Sequence, residues 1–296
     1  MPGRVRRGAN HIGTSGKKIR ILTDSTCDLD KEYLDSLGVS FIPMKVSFGQ
    51  DVYLDRVTIT PQEFYAKLRA SKIMPSTSQI SPPEFEKEFR KAVEEGYHLI
   101  AICFSSQLSG TYQSACVAKD LVGSDDIDVV DSRAASVGLG LIVREAALMA
   151  NRGEDAGAIL ERVDYMVKRM EHIFAVGSLE MLKRGGRISA GTALIGTVLN
   201  IHPILQFVDG CIVPCDKVRG KRAIVTRMLE IMEERGYDLS RQTIGLNYAG
   251  DTELYLTLKR AIEERFGVKQ FLISEIGATI GSHVGEGTVS VFFLRR

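Results

Sequence analysis

Residues 99–104, Leu-Ile-Ala-Ile-Cys-Phe, form a near-continuous apolar run that ends abruptly in Ser105-Ser106-Gln107-Leu108-Ser109-Gly110-Thr111. The run is far short of the ~18 apolar residues that a bilayer span requires. It also lacks the alternation of a strand with one wet face. A run of this kind is a strand covered by helices on both sides, the setting of a parallel sheet. Residues 111–121 carry a helical pattern, so a buried strand delivers a hydroxyl-rich loop to a helix N-terminus. The exposed N–H groups and positive dipole end of that helix favour an anion. In open parallel sheets the ligand crevice lies at the carboxyl ends of the strands, where this loop belongs. A plain helix cap needs one hydroxyl. This loop offers Ser105, Ser106, Ser109 and Thr111.

The rest of the first half alternates strand and helix. Residues 19–22 read as a strand running into Thr23-Asp24-Ser25-Thr26, residues 29–37 as a helix ended by Gly38, and residues 39–44 as a second strand. Two helix starts are marked by capping boxes with proline at the first helical position, Thr60-Pro61-Gln62-Glu63 and Ser81-Pro82-Pro83-Glu84. The second of these helices puts Phe85, Phe89, Ala92 and Val93 on one face, to pack on a sheet. Residues 127–130 follow as strand, and residues 139–151 and 155–170 as helices. The second half changes character. Strands at 204–208 and 211–213 are joined by Asp209-Gly210, a favoured type I′ turn, which makes an antiparallel hairpin. Residues 173–176, 243–248, 270–274 and 288–294 read as strands, and 223–235 and 251–266 as helices. The expected fold is α/β. A parallel-sheet N-terminal domain over residues 19–170 precedes a mixed-sheet C-terminal domain over residues 171–296.

Charge and composition exclude several classes. Residues 1–18 hold Arg4, Arg6, Arg7, Lys17 and Lys18 and no acid, which leaves 33 basic against 37 acidic residues in the remainder. The glycine-rich basic arm is expected to be disordered and lacks the apolar core of a signal peptide. The mildly acidic body argues against a nucleic-acid-binding module. The 5 cysteines, an odd count with no metal-ligand spacing, fit reduced thiols in the cytoplasm of a soluble protein. Cys211 and Cys215 stand one residue further apart than a C-x-x-C and within a strand, as ordinary structural cysteines do. No G-x-S-x-G elbow or Walker lysine is present, and Gly138-Leu139-Gly140 lacks the third glycine of a dinucleotide fingerprint. No paired histidines or carboxylates suggest a catalytic metal.

Two further clusters carry polar chemistry. Pro75-Ser76-Thr77-Ser78-Gln79 reads from its spacing as a turn linking two helices. His283 lies among Gly277, Gly281, Gly285 and Gly287, a flexible, polar setting in which backbone can approach a ligand or form an anion nest. Arg184 and Arg187, and the run Arg219-Gly220-Lys221-Arg222, form exposed basic turns that suit either solvent or an anionic partner. Hydroxyls and one histidine without a nucleophile–base unit point to binding an anion more than to cleaving a bond.

These motifs converge on a family. Ile21-Leu22-Thr23-Asp24-Ser25, Ser76-Thr77-Ser78-Gln79 and the loop from Ser105 to Thr111 resemble DegV proteins in order and spacing. So do Val130-Asp131-Ser132, Gly177-Ser178-Leu179-Glu180 with Arg184-Gly185-Gly186-Arg187, Lys217-Val218-Arg219 and Gly281-Ser282-His283-Val284-Gly285. The similarity runs from about residue 19 to the C-terminus and departs at Glu286, where the family commonly has proline. The resemblance implies two α/β domains with a long-chain fatty acid, such as palmitate, stearate or oleate, in a tunnel between them. It also implies a protein that is not catalytic alone. It would present the acid, like the acyl-binding subunit of bacterial fatty-acid kinase, to a separate ATP-dependent kinase subunit. Carried over residue by residue, the carboxylate would meet Thr77, Ser78, Ser105, Ser106, Ser109, Gly110 and His283. Arg184, Arg187 and Arg219 would meet the kinase subunit or the acyl phosphate. No cofactor, metal or nucleic acid is implied, and contact with membrane would be transient.

The physics agrees with this picture. Burying ~14 methylenes at about 0.8 kcal/mol each gives roughly 11 kcal/mol of gross driving force, part of which is lost in ordering the ligand. A carboxylate drawn in with the chain cannot stay bare. Hydroxyls, a helix N-terminus and an imidazole satisfy its lone pairs. Two rival readings stand beside this one. One is an acyl hydrolase or transferase with Ser105 or Ser106 as nucleophile, and the other is a regulatory protein that senses lipid through the same pocket.

Overall fold

The computed structural model describes residues 16–188, 200–250 and 252–296. Most of the basic arm, and the expected helix start at Asp251, lie outside the described residues. From the N-terminus, β1 (Ile19–Asp24) runs through a 3₁₀ turn at Ser25–Cys27 into α1 (Lys31–Leu37) and β2 (Val39–Ile42). Gly38 closes α1 in the left-handed region at φ 71°. Two short strands come next, β3 (Lys45–Phe48) and β4 (Asp51–Leu54), then α2 (Pro61–Ala70), β5 (Ser76–Ser78) and α3 (Pro82–Glu94). Both capping boxes form. The Glu63 carboxylate accepts the Thr60 N–H at 2.8 Å and the Glu84 carboxylate accepts the Ser81 N–H at 2.9 Å. The half ends with β6 (His98–Cys103), α4 (Thr111–Val122), β7 (Ile127–Asp131), α5 (Ser136–Asn151) and α6 (Ala156–Val167).

The second half begins with β8 (Met170–Ala175), α7 (Glu180–Arg184), β9 (Ile201–Val208), β10 (Cys211–Arg219) and α8 (Lys221–Arg235). It continues with β11 (Thr243–Tyr248), α9 (Glu253–Phe266), β12 (Gln270–Glu275), α10 (Ala278–Val284) and β13 (Val289–Leu294). Three sheets result. The first is wholly parallel, in the order β2-β1-β6-β7. The second is mixed, in the order β10-β9-β8-β13-β11-β12, with only β11 and β12 parallel. The third is the antiparallel trio β4-β3-β5.

The strand that ends in the hydroxyl loop, β6, is buried at every residue, as its unbroken apolar run requires. The Asp-Gly hairpin also forms as its sequence predicts. Asp209 at φ 49° and Gly210 at φ 83° take the two left-handed positions of a type I′ turn. Pro214 sits at the bulge in the edge strand β10, where its missing N–H breaks no ladder bond.

One helix, α5, joins the two larger sheets. Its residues share a core with Ile21 and Ile100 of the parallel sheet and Phe292 of the mixed sheet. Gly138 and Gly140 allow that close fit. A Cβ at Gly138 would stand 2.4 Å from His172 Nε2, and one at Gly140 would stand 2.9 Å from the Cys27 carbonyl. The Gly-Leu-Gly triplet is therefore a packing device for a helix held between two sheets.

Two local expectations are corrected. Residues 76–78 form β5 and pair with β3, with Thr77 opposite Val46, where spacing alone suggests a turn between helices. Residues 278–284 form α10, where the glycine density suggests a flexible loop. Gly281 serves a close approach between helices: a Cβ there would stand 2.7 Å from the Phe64 ring and 2.8 Å from Tyr65 Oη.

Candidate ligand-binding site

A cavity of about 210 Å³ lies where the three sheets meet. Its walls come from both halves of the chain. Phe104, Phe174, Phe207, Ile212, Ile280 and Phe292 make most of it apolar. His172 adds a flat, uncharged surface, stacked on Phe207 with ring centroids 4.4 Å apart. Burial holds the His172 imidazole down at about 4, so it is neutral at physiological pH.

One end of the cavity is polar. Thr77 Oγ1 on β5 lies 2.8 Å from His283 Nε2 on α10. Ser109 and Gly110, at the start of α4, line the same cavity, as do Gln79 and Arg187. Ser109 Oγ accepts the Thr111 N–H at 3.3 Å and stands 2.9 Å from Thr111 Oγ1, which fixes it at the helix N-terminus. Gly110 leaves room for Gln79, since a Cβ there would stand 2.1 Å from Gln79 Oε1. Arg187 is tied down by donating from Nε to the Leu108 carbonyl at 3.0 Å and from its guanidinium to the Gly185 carbonyl. Gly185 in turn packs on the imidazole: a Cβ there would stand 2.3 Å from His283 Nδ1.

The His283 imidazole is held down at about 4, by burial first and by the Arg187 charge second. It is neutral at physiological pH, and its Nδ1 is buried without a hydrogen-bond partner. The positive charge at this end of the cavity is therefore that of Arg187. A neutral imidazole, two hydroxyls, a helix N-terminus and one guanidinium suit an anionic head group.

The other sequence-derived candidates stand elsewhere. Ser78 neighbours Thr77 on β5, so its side chain takes the opposite face and is exposed. Ser105 is fully buried, and its hydroxyl donates to the Gly210 carbonyl of the β9–β10 hairpin at 2.9 Å. Ser106 donates to the Asp131 carboxylate at 2.6 Å. Neither serine lines the cavity. Arg184 is exposed and ion-paired with Glu180 at 2.5 Å on α7, and Arg219 is exposed at the end of β10. Of the three arginines only Arg187 lines the cavity. Cys211 and Cys215 are free thiols. Among the described residues no group of three or more His, Cys, Asp or Glu is placed to hold a metal.

Sequence reasoning missed a second polar patch in the same wall. Ser136, Asn247, Thr279 and Ser290 all line the cavity, and none is more than 5% exposed. Behind them stands a buried network. Asp28 accepts the Gly277 N–H at 2.8 Å and the Ser136 hydroxyl, while Asn247 donates from Nδ2 to Ser136 Oγ. Asp55 accepts the N–H groups of Ala278 and Thr279 at 2.9 and 3.1 Å. Arg56 balances the acids, 3.6 Å from Asp28 and 2.5 Å from Asp30. Burial pushes the Asp28 carboxyl up to about 7, against the pull of Arg56. The available signal was Asn247 itself, a polar residue inside an apolar strand, flanked by Leu246 and Tyr248.

A three-sheet α/β protein with an apolar cavity and an anion-ready end is the class this geometry defines. The family model described as "Uncharacterised protein, DegV family" matches residues 18–296. The chain belongs to the DegV family. A DegV domain-containing protein of Clostridium perfringens is 38% identical over 285 residues, covering 94% of this chain and 98% of that protein. A solved structure described as fatty acid binding of a DegV family protein from Thermus thermophilus superposes with a TM-score of 0.86. It is 33% identical, over 94% of this chain and 100% of that one. A stearic-acid-binding protein from Eubacterium ventriosum superposes with a TM-score of 0.81 at 27% identity, over 95% of this chain and 98% of that one. Among the described residues no helix is long and apolar enough to cross a membrane.

Proposed function

We propose that this chain binds one long-chain fatty acid, with its carboxylate among Thr77, Ser109, Gly110, His283 and Arg187 and its tail along the apolar wall. The observation that carries this reading is the Thr77–His283 contact at the polar end of an otherwise aromatic and aliphatic cavity. The fatty acids named for the Thermus thermophilus and Eubacterium ventriosum relatives support it, and stearate or a chain of similar length is the expected cargo. The ligand lies between an N-terminal domain of residues 19–170 and a C-terminal domain of residues 171–296. Ser78, Ser105 and Ser106 take no part in holding the carboxylate, because their hydroxyls are exposed or committed elsewhere.

The chain is a carrier without chemistry of its own. The Ser105 hydroxyl is spent on a backbone carbonyl. The His283 imidazole, held at about 4, is too weak a base to activate Thr77 at neutral pH. The head group is instead offered to a separate ATP-dependent kinase in the cytoplasm, with exposed Arg184 and Arg219 facing that partner and Arg187 next to the carboxylate. The test compares palmitate with its methyl ester. Thr77→Val and Ser109→Ala should each weaken the acid about tenfold, the worth of one hydrogen bond to a charged group, and leave the ester nearly unchanged. Equal losses for acid and ester would remove the carboxylate from this end of the cavity.

A further inference from the structure

The cavity holds two polar patches of different electrostatic character. The first, around His283, carries the fixed positive charge of Arg187. The second, made by Ser136, Asn247, Thr279 and Ser290, is backed by Asp28 and Asp55. Arg56 balances those acids, so the second patch offers no net positive charge to an anion and suits a neutral hydroxyl.

The second patch is built but incompletely paired. The Ser136 hydroxyl donates to Asp28 and accepts from Asn247 Nδ2, which leaves Asn247 Oδ1 as a buried acceptor with no partner. Thr279 Oγ1 is likewise buried and unpartnered, although the backbone N–H of Thr279 is satisfied by Asp55. Asn247 and Thr279 are 1% and 2% exposed. Ser290 lies directly opposite Asn247 across β13 and β11, on the same face of the sheet. An unsubstituted methylene chain laid against these groups offers them no partner, whereas a hydroxyl there satisfies a buried polar group, worth about 1–3 kcal/mol.

We propose that Ser136, Asn247, Thr279 and Ser290 form a second, neutral polar subsite that receives a hydroxyl carried by the acyl chain. The cavity then favours a hydroxylated fatty acid over an unsubstituted one of the same length. This rests on the fatty-acid reading of the cavity. Thr279 and His283 are four residues apart on α10, so they share a face with Cβ atoms about 5–6 Å apart. With the carboxylate at His283, the hydroxyl falls near the carboxyl end of the chain, as in a β-hydroxy acid. A hydroxyl at the far end of the tail does not reach it.

The test measures the affinities of palmitate, β-hydroxypalmitate and ω-hydroxypalmitate for the full chain and for Thr279→Val and Ser290→Ala. Thr279→Val keeps the backbone bond to Asp55 and the side-chain volume, and unchanged melting temperatures of the unliganded variants show that both are folded. The β-hydroxy acid should bind on the order of tenfold tighter than palmitate, as one satisfied buried group predicts. The ω-hydroxy acid should gain nothing. The β-hydroxy preference should shrink toward unity in the variants while palmitate affinity holds. Equal or tighter binding of palmitate by the wild type, or a β-hydroxy preference untouched by both substitutions, overturns the subsite and leaves the fatty-acid reading standing. If no acid binds at all, both readings fall together.

Discussion

Thr77 Oγ1 and His283 Nε2 meet at 2.8 Å across 206 positions of sequence, and that contact closes the polar end of the cavity. It joins the small antiparallel sheet, through β5, to the helix that carries the family's histidine motif. Neither element is strongly marked in the sequence. The contact exists because β5 pairs with β3 and because Gly281 lets α10 lie close to Phe64 and Tyr65.

The protonation of His283 should report the ligand. Burial, and then the Arg187 charge, hold its imidazole down at about 4, below the ordinary value of 6.5, because both disfavour the cation. A carboxylate beside the ring favours the cation and raises that value. Binding should therefore take up protons, and affinity should rise as pH falls toward the bound-state pKa. NMR titration of the ring protons, with and without dodecanoate below its micelle threshold, checks this. An imidazole whose titration is indifferent to the ligand would place the head group elsewhere.

Ser105→Ala separates a structural serine from a binding or catalytic one. The Ser105 hydroxyl satisfies the Gly210 carbonyl at the tip of the β9–β10 hairpin, inside a fully buried contact. Its loss should cost about 1–3 kcal/mol of stability in denaturant melts. The preference for acid over methyl ester should survive. Loss of that preference at unchanged stability would return Ser105 to the head-group site.

The apolar wall can be crowded close to the head group. Ile280 lines the cavity from α10, three residues before His283. Ile280→Phe adds bulk without adding charge, so decanoate and stearate should both lose affinity, about tenfold for about two displaced methylenes. Displacement titrations across a series of chain lengths measure this. A loss confined to the longer acids would place Ile280 at the tail end and the head group away from His283.

Gly138→Ala tests the fit of α5 between the sheets. The added methyl would meet His172 Nε2 and the Phe292 ring, two rigid groups, at 2.4 and 2.9 Å. Overpacking of this kind costs about 1–3 kcal/mol, so the melting temperature should drop by several degrees. His172 and Phe292 also line the cavity, so acid binding should weaken with it. An unaffected melting temperature would show that the helix has room to shift.

Much of this architecture is legible in the residues. The apolar run of β6, the two proline-led capping boxes and the Asp209-Gly210 turn each act locally, through burial, an N-terminal cap or a required left-handed backbone. The less legible parts depend on contacts between distant segments. Ser76–Ser78 has no apolar alternation and is a strand only because β3 offers it an edge. Gly281, beside His283, resembles a loop glycine because its reason, close approach to Phe64 and Tyr65 of α2, lies more than 200 residues away in sequence. The four loop hydroxyls could not be told apart from spacing either. Tertiary contacts commit Ser105 to Gly210 and Ser106 to Asp131 and leave Ser109 on the cavity.

Native mass spectrometry of the full chain after exposure to equimolar palmitate tests the central claim most directly. The account predicts one palmitate per chain, held without a covalent bond and released intact on denaturation. A chain that takes up no stoichiometric acid, or one that keeps an acyl adduct after denaturation, would contradict it.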